Sequence, residues 1–350
     1  MTTPFRAAYL SIALFAAAAT TQAAAHEACV STAAELQQAL ADASDGGPYV
    51  AEDNLVKLVT GTYRTGAATS NGPFFFYSSH STTSLTLYGG YGPGCSGGHH
   101  AAADTILDGH GSTAVLVLRN KQGPLAVTHL TLQNGDSDAP GAGLQINYLV
   151  TVESSVQVDH VIIRGNHSSV DAGGLYASGA ASAGSAVTLT DALIVDNASD
   201  ANYGGAYVTP YGDTALVDHA TIARNAAAAT SDRVGGLYCG GTALCNVFDT
   251  IAWNNSNVGL YFDSPAALVC DDYGAIGGAV SDYVANVHSV SPAFVDAANG
   301  DYHLGAGSPL FGLCAPGNGT TDLDDRAFPG HGGADVGAYE DTVFVDGNDG

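Results

Sequence analysis

The sequence predicts an all-β chain folded as a right-handed parallel β-helix, a solenoid with a short N-terminal capping helix and an irregular C-terminal cap. Three observations predict it. A seven-residue motif recurs at intervals of 28 to 31 residues, apolar residues stand two apart just upstream of each copy, and a glycine signature follows each copy. Fixed-period self-similarity is the mark of repeat architectures, and period-2 apolar pairs mark short strands with one face inward.

From the N-terminus, residues 1–25 read as a leader. Arg6 supplies positive charge, Ala7 to Ala19 an apolar stretch, and Ala23, Ala24 and Ala25 a small-residue cleavage site. The stretch is too short to span a bilayer comfortably and no second one follows, so the mature chain is expected to begin near His26 without a transmembrane segment. Residues 26–100 form an N-terminal cap and the first, irregular coils. Thr32 with Glu35 makes a capping box, and Leu36 and Leu40 share one helical face, so a short helix is predicted over the open end of the core. Strand-like runs follow at 55–59, 84–88 and 115–118.

Residues 101–263 carry the regular coils. Four copies align: His160-Val-Ile-Ile-Arg-Gly-Asn166, Asp191-Ala-Leu-Ile-Val-Asp-Asn197, His219-Ala-Thr-Ile-Ala-Arg-Asn225 and Asp249-Thr-Ile-Ala-Trp-Asn-Asn255, with a looser copy from His129 to Gly135. Glycine signatures follow, as in Gly173-Gly-Leu-Tyr176, Gly204-Gly-Ala-Tyr207 and Gly235-Gly-Leu-Tyr238, and the last step shortens to 23 residues. One such unit buries too little apolar surface to fold alone, but stacked units pair their strands about 4.8 Å apart. Asn166, Asn197 and Asn225 are predicted to form a hydrogen-bonded ladder at one corner, extended by Asn134 and by Asn254 or Asn255. Asn tolerates a left-handed backbone, and its amide both donates and accepts. The glycines are expected at the next corner, with positive φ and close approach between coils. Residues 264–350 form a last coil and a Gly/Pro/Asp-rich cap segment.

Composition narrows the partners. With 34 acidic and 9 basic residues the formal charge is −25, which excludes nucleic acid, whose binding requires Lys and Arg. Anionic polysaccharide is repelled unless cations bridge the two surfaces, and Ca²⁺ is the cation that carboxylate and carbonyl oxygens favour. Acidity also serves solubility alone. All six cysteines lie after the leader, as expected in an oxidising compartment. Among fifteen pairings, spacing favours Cys239–Cys245 as a small loop, with Cys29–Cys95 and Cys270–Cys314 each stapling one end of the fold.

Five groups of residues are site candidates, each with a purely structural alternative. His129, His160, Asp191, His219 and Asp249 align at one corner. His160, Asp191 and His219 are the trio to test for metal, unless they are simply the polar corner residues of the repeat. Tyr176, Tyr207 and Tyr238, with Tyr261, form a column that either offers sugar rings a flat aromatic strip or stacks between coils. Arg164, Asp196 and Arg224 would make a basic-acidic-basic column, as a site or as an ion-pair ladder. His99-His100 and the run Asp322-Leu-Asp-Asp-Arg326 are the remaining metal candidates, the latter alternatively a local turn. The sequons at Asn166, Asn197, Asn254 and Asn318 fall mostly on the ladder, where glycosylation is not expected.

The Asn and Gly-Gly repeats, together with Ser291-Pro-Ala-Phe-Val-Asp296, Tyr302-His-Leu-Gly-Ala-Gly-Ser-Pro309 and Asp335-Val-Gly-Ala-Tyr-Glu340, carry a resemblance covering most of the mature chain. The chain resembles bacterial right-handed parallel β-helix proteins of the pectin-lyase-like superfold, nearest to polymorphic outer-membrane-protein-like repeats and exported relatives with a choice-of-anchor terminal domain. It departs from them in placing Ile163, Ile194, Ile222 and Ala252 where their repeat usually has Phe. The resemblance implies the fold and a secreted, extracellular or outer-membrane-surface location, and no particular chemistry. The expected role is non-catalytic display or binding, glycan-binding or adhesin-like, by a monomer whose loops at 136–141, 168–172, 198–203 and 226–234 line one side. The alternative is a polysaccharide lyase or glycoside hydrolase. Lyases on this fold use acidic Ca²⁺ ligands and a basic residue that abstracts the sugar proton.

Overall fold

The structure, a computed structural model, describes residues 25–66, 72–79, 82–97, 101–148, 154–179, 185–210, 214–228, 233–241, 244–314, 321–328 and 333–340. The leader up to Ala24, His99-His100, Asn318 and the tail 343–350 lie outside them. The chain is a parallel β-helix. Its strands pair in parallel with the equivalent strands of the coils before and after, as in Val156 with Leu125 and Val187, and Leu175 with Leu144 and Ala206.

Each regular coil contributes to three sheets. The strands Ser154–Arg164 and Ser185–Val195 run through a corner and serve two of them. Before the corner, Val156 and Val158 point inward and Gln157 and Asp159 outward; we term this sheet the floor. After the corner, Val161 and Ile163 point inward and Ile162 outward, forming the flank. The third sheet holds Leu175, Ala206 and Leu237 inward and the tyrosines outward. The three inner faces close on one continuous core of Leu, Val and Ile.

The N-terminal helix Ala33–Ala43 has the expected capping box, with Thr32 Oγ1 accepting from the Glu35 amide and the Glu35 carboxylate accepting from the Thr32 amide. Leu36, Leu40 and Ala43 close the open end of the core. All three disulfides are formed as expected: Cys29–Cys95, Cys239–Cys245 and Cys270–Cys314. They fit an oxidising, non-cytoplasmic setting. Among the described residues, no helix is long and apolar enough to cross a membrane.

The asparagine ladder runs through Asn166, Asn197, Asn225 and Asn255. The Oδ1 atoms of Asn197, Asn225 and Asn255 each accept from the backbone amide and the side-chain amide of the preceding coil's Asn, at 2.9–3.1 Å. Each Nδ2 also donates to a carbonyl of the preceding coil, as Asn197 does to Ile163. Asn255, not Asn254, extends the ladder. Asn134 stands one residue off and donates to Asp108, while Gly135 donates its amide to Asn166. The left-handed backbone falls one residue before the ladder, at Asn134, Gly165, Asp196, Arg224 and Asn254. The sequon residue Asn254 is accordingly exposed, whereas Asn166 and Asn197 are buried.

The paired glycines differ from expectation in the same informative way. Gly173, Gly174, Gly204 and Gly205 do not have positive φ; the preceding Ala172 and Tyr203 do. What excludes a side chain is the next coil, since a Cβ on Gly174 would lie 2.5 Å from the Gly205 carbonyl and 3.0 Å from the ladder amide of Asn197. The loops after the ladder are stacked as well. Asp136, His167 and Ala198 pair in parallel, and His167 bridges Asp136 and Asp200 at 3.1 and 3.2 Å.

The irregular C-terminal segment covers the flank. Tyr302, Leu323, Ala338 and Tyr339 pack on Ile162, Leu193, Val195 and Ala223, sealing outward positions that a lone solenoid would leave wet. The Tyr302 hydroxyl donates to Asp196, Ala338 donates its amide to Thr221 Oγ1, and Gly337 donates to the Asp249 carbonyl. Gly337, at φ +107°, lies so close to the flank that a Cβ would meet Ile251 and Thr221 at 2.8 Å. Cys270–Cys314 ties this strap to the last coils. The run from Asp322 to Arg326 is a local turn. The Asp322 carboxylate accepts from the amides of Asp324, Arg326 and Glu340, and Arg326 pairs with Asp324 at 3.1 Å, which leaves no open carboxylate cage for calcium at Asp322.

Candidate functional site

The corner between floor and flank is where the titratable column assembles. His129, His160, Asp191, His219 and Asp249 all adopt left-handed backbone, φ +46 to +56°. His, Asp and Asn are the non-glycine residues that enter this region most readily, so the corner geometry by itself accounts for part of the column. Their side chains are buried between the floor and the strap. The rings of His129 and His160 stack at 4.6 Å with 4° between planes. From the strap, Asp325 reaches His129 Nε2 at 3.2 Å, Thr321 Oγ1 reaches His160 Nε2 at 3.1 Å, and Phe328 lies against the His219 ring.

The structure separates the predicted trio. His160 and Asp191 come together with a third residue, Asp159, His160 Nδ1 lying 3.1 Å from Asp159 Oδ2 and 3.9 Å from Asp191 Oδ2. His219 instead belongs with Asp218 at 3.0 Å and Asp249 at 3.7 Å. The repeat therefore builds two Asp-His-Asp triads two coils apart. Asp159 and Asp218 directly precede His160 and His219, so the dipeptides Asp159-His160 and Asp218-His219 are the mark of these triads in the sequence.

Ionisation is driven apart within the first triad. Burial pushes the Asp191 carboxyl up to about 7 despite the nearby His160 and His219. Burial also acts on Asp159, but the adjacent His160, the Thr190 hydroxyl and His129 outweigh it and hold that carboxyl below its ordinary value. For His160, burial is overcome by Asp159 and Asp191, and its pKa rises. His129 moves the other way, lowered by burial and by the charge of His160. In the second triad, burial pushes Asp249 up to about 7.

His129, His160, Asp191 and His219 of this column form the back of an open groove of about 530 Å³ that crosses five coils of the floor. Adjacent coils are about 4.8 Å apart, so the groove runs roughly 19 Å along the axis. Its floor presents Thr86, Thr128, Gln157, Thr188 and Thr190, with Asp159 and Asp218, and no Arg or Lys lines it among the described residues. Such a surface offers repeated hydroxyl, amide and carboxylate groups at coil spacing.

The other candidates are organised differently. Tyr176, Tyr207, Tyr238 and Tyr261 stack on one another at 5.0, 5.0 and 5.7 Å with 5–9° between planes. Their faces are turned toward each other along the axis, and Tyr203 tilts over Tyr207 and Tyr238. The strip presents ring edges outward, not the flat faces on which a sugar stacks. The Arg column does not form. Arg164 aligns with Gln133 and Val195 and donates to Gln133 Oε1, whereas Arg224 occupies the left-handed corner and pairs with Asp196 at 2.7 Å. Gly165 holds the position of Asp196 and Arg224, and Arg164 stands one residue earlier, in line with Val195 and Ala223. A second cavity, of about 690 Å³, lies beside the third sheet between Phe75, Arg119 and the loop residues Asp136 and Asp138, which are exposed.

No protein-family model matches this chain, and no curated protein or solved structure matches it.

Proposed function

We propose that this chain is an exported β-helix protein, secreted or held at the cell surface, that binds a polysaccharide along its axis in the floor groove. It takes its place beside the pectin-lyase-like superfold proteins that its repeats and tail resemble. The observation that carries this reading is the periodic polar floor. Thr, Gln and Asp recur at the spacing of the coils in an open, elongated groove, suited to a chain of repeating hydroxyl groups. Its carboxylates and lack of lining cations favour a neutral glycan over an anionic one, which would enter only with a bridging cation.

Incubation with neutral and acidic polysaccharides, with and without Ca²⁺, tests this by measuring both retention and new chain ends. Retention of a neutral polysaccharide that weakens at least tenfold in Gln157→Ala and Thr188→Val, and stays unchanged in Tyr207→Ala, is the expected result. Retention lost only in Tyr207→Ala would move the site to the tyrosine strip.

A second reading, hydrolysis, has one observation in its favour. Asp159 and Asp191 offer carboxylate oxygens within 4.8 Å of each other and have oppositely displaced pKa values, the pattern of a nucleophile beside a proton donor. New chain ends that vanish in Asp159→Asn would select it.

A further inference from the structure

We infer that Asp159, His160 and Asp191 form a binding site for one divalent transition-metal ion of the zinc type. One imidazole nitrogen and two carboxylate oxygens converge there from adjacent coils, all within 4.8 Å of one another. Metal–ligand bonds of about 2.0–2.2 Å place neighbouring donors roughly 3 to 3.5 Å apart. The observed 3.1 and 3.9 Å from His160 Nδ1 need only a small closure of Asp191.

Two features point to a ligand beyond the clustering itself. Asp191 is 3% exposed, and its Oδ1 has no hydrogen-bond partner. His160 Nδ1 is likewise buried without an aligned partner, because its contact with Asp159 is close but off line. Buried polar atoms left in this state are costly, and a cation would engage His160 Nδ1 together with the Asp191 carboxylate, whose Oδ2 faces that nitrogen. The ring is also oriented from behind. Thr321 of the strap engages His160 Nε2, which leaves Nδ1 turned to the carboxylates, the usual outer support of a metal-bound histidine. All three line the groove and Asp159 is the most exposed of them, so solvent or a ligand hydroxyl can complete the coordination.

The second triad is less suited. His219 turns Nδ1 to Asp218 and Nε2 to Asp249, so its two carboxylates address opposite nitrogens. The nitrogen donor in the first triad also argues against Ca²⁺, which prefers six to eight oxygen ligands. The metal needs no glycan in order to bind, although it shares Asp159 with the groove, and it competes with hydrolysis for Asp159 and Asp191.

The full exported protein, with disulfides intact and stripped by chelator, should be titrated calorimetrically with Zn²⁺ and with Ca²⁺. Co²⁺ should be added separately to read ligand-field absorption. We expect one Zn²⁺ per chain, bound at least 100-fold more tightly than Ca²⁺. Binding should fall at least tenfold in Asp191→Asn and in His160→Asn, both of which keep a residue suited to the left-handed corner, and stay unchanged in His219→Asn. Thermal midpoints in chelator establish that the variants fold; should either corner variant fail, Asp159→Asn at the groove side replaces it. Zn²⁺ uptake identical in wild type and Asp191→Asn, or Ca²⁺ bound as tightly as Zn²⁺, overturns the assignment.

Discussion

The floor and the flank are built by the same strands and meet opposite fates. In Ser154–Arg164, the half before His160 alternates, with Val156 and Val158 in the core and Gln157 and Asp159 at the groove. The half after it, Val161-Ile-Ile163, is apolar on both sides, and Ile162 lies under the strap. The next coil repeats the contrast, with Val187-Thr-Leu-Thr190 on the floor and Ala192-Leu-Ile-Val195 on the flank. Alternation marks a sheet with one wet face, and an unbroken apolar run marks one covered on both. The corner residue is the boundary, and the titratable column sits there because it is the last position before the strap closes over.

The largest effect is expected where the strap is anchored. Tyr302→Ala removes a fully buried ring and the hydroxyl bond to Asp196, at a cost of roughly 3–5 kcal/mol. Limited proteolysis should then cut within 291–340 while circular dichroism of the coils is retained. A strap as resistant as in wild type would mean that the flank does not hold it.

Asn197→Ala belongs to neither face and serves as the control for the stack. It leaves the Asn166 amide and the Ile163 carbonyl without their partner, a loss of about 2–4 kcal/mol in denaturant unfolding. The loss should be seen equally by probes on floor and flank.

Asp272 sharpens the comparison through pH. It ends the outward flank column after Thr221 and Ile251, fully buried, with Oδ2 unpartnered. Burial pushes its carboxyl up to about 6, against a backbone hydrogen bond from Val290. The folded chain thus holds a proton that the unfolded chain releases near pH 4. Stability contributed by this site falls as pH rises from about 4 to about 6 and is flat above. Asp272→Asn should flatten that part of the stability profile.

The smallest effect is expected on the floor. Thr188→Val should change stability by no more than about 0.5 kcal/mol, because Thr188 is only half-buried, while glycan retention weakens.

What the sequence made legible follows the range of the interaction. The coil period, the Thr32/Glu35 capping box, the Cys239–Cys245 loop and most of the asparagine ladder depend on local patterns or on one repeated interval. The errors of one residue, Asn134 for Gly135 in the ladder and Arg164 beside Arg224, follow residue type over register: the seven-residue copies align Gly135 with Asn166 and Gly165 with Arg224, as the structure has them. The face covered by the strap was not read, since Thr321 and Asp325 meet His160 and His129 across more than 160 residues of chain. The unbroken runs at 161–163 and 192–195 did carry a trace of it. Of the candidate site, His160 and Asp191 were visible as a column, whereas Asp159 needed the floor's inward-outward alternation to be followed up to the corner.

Hydroxyl-radical footprinting tests the central contrast most directly by comparing Leu216 on the floor with Ile162 and Leu193 on the flank. One sealed and one open face predict oxidation of Leu216 with Ile162 and Leu193 protected, and their reactivity rising once Tyr302→Ala frees the strap. Ile162 and Leu193 oxidised as readily as Leu216 in the intact protein would contradict it.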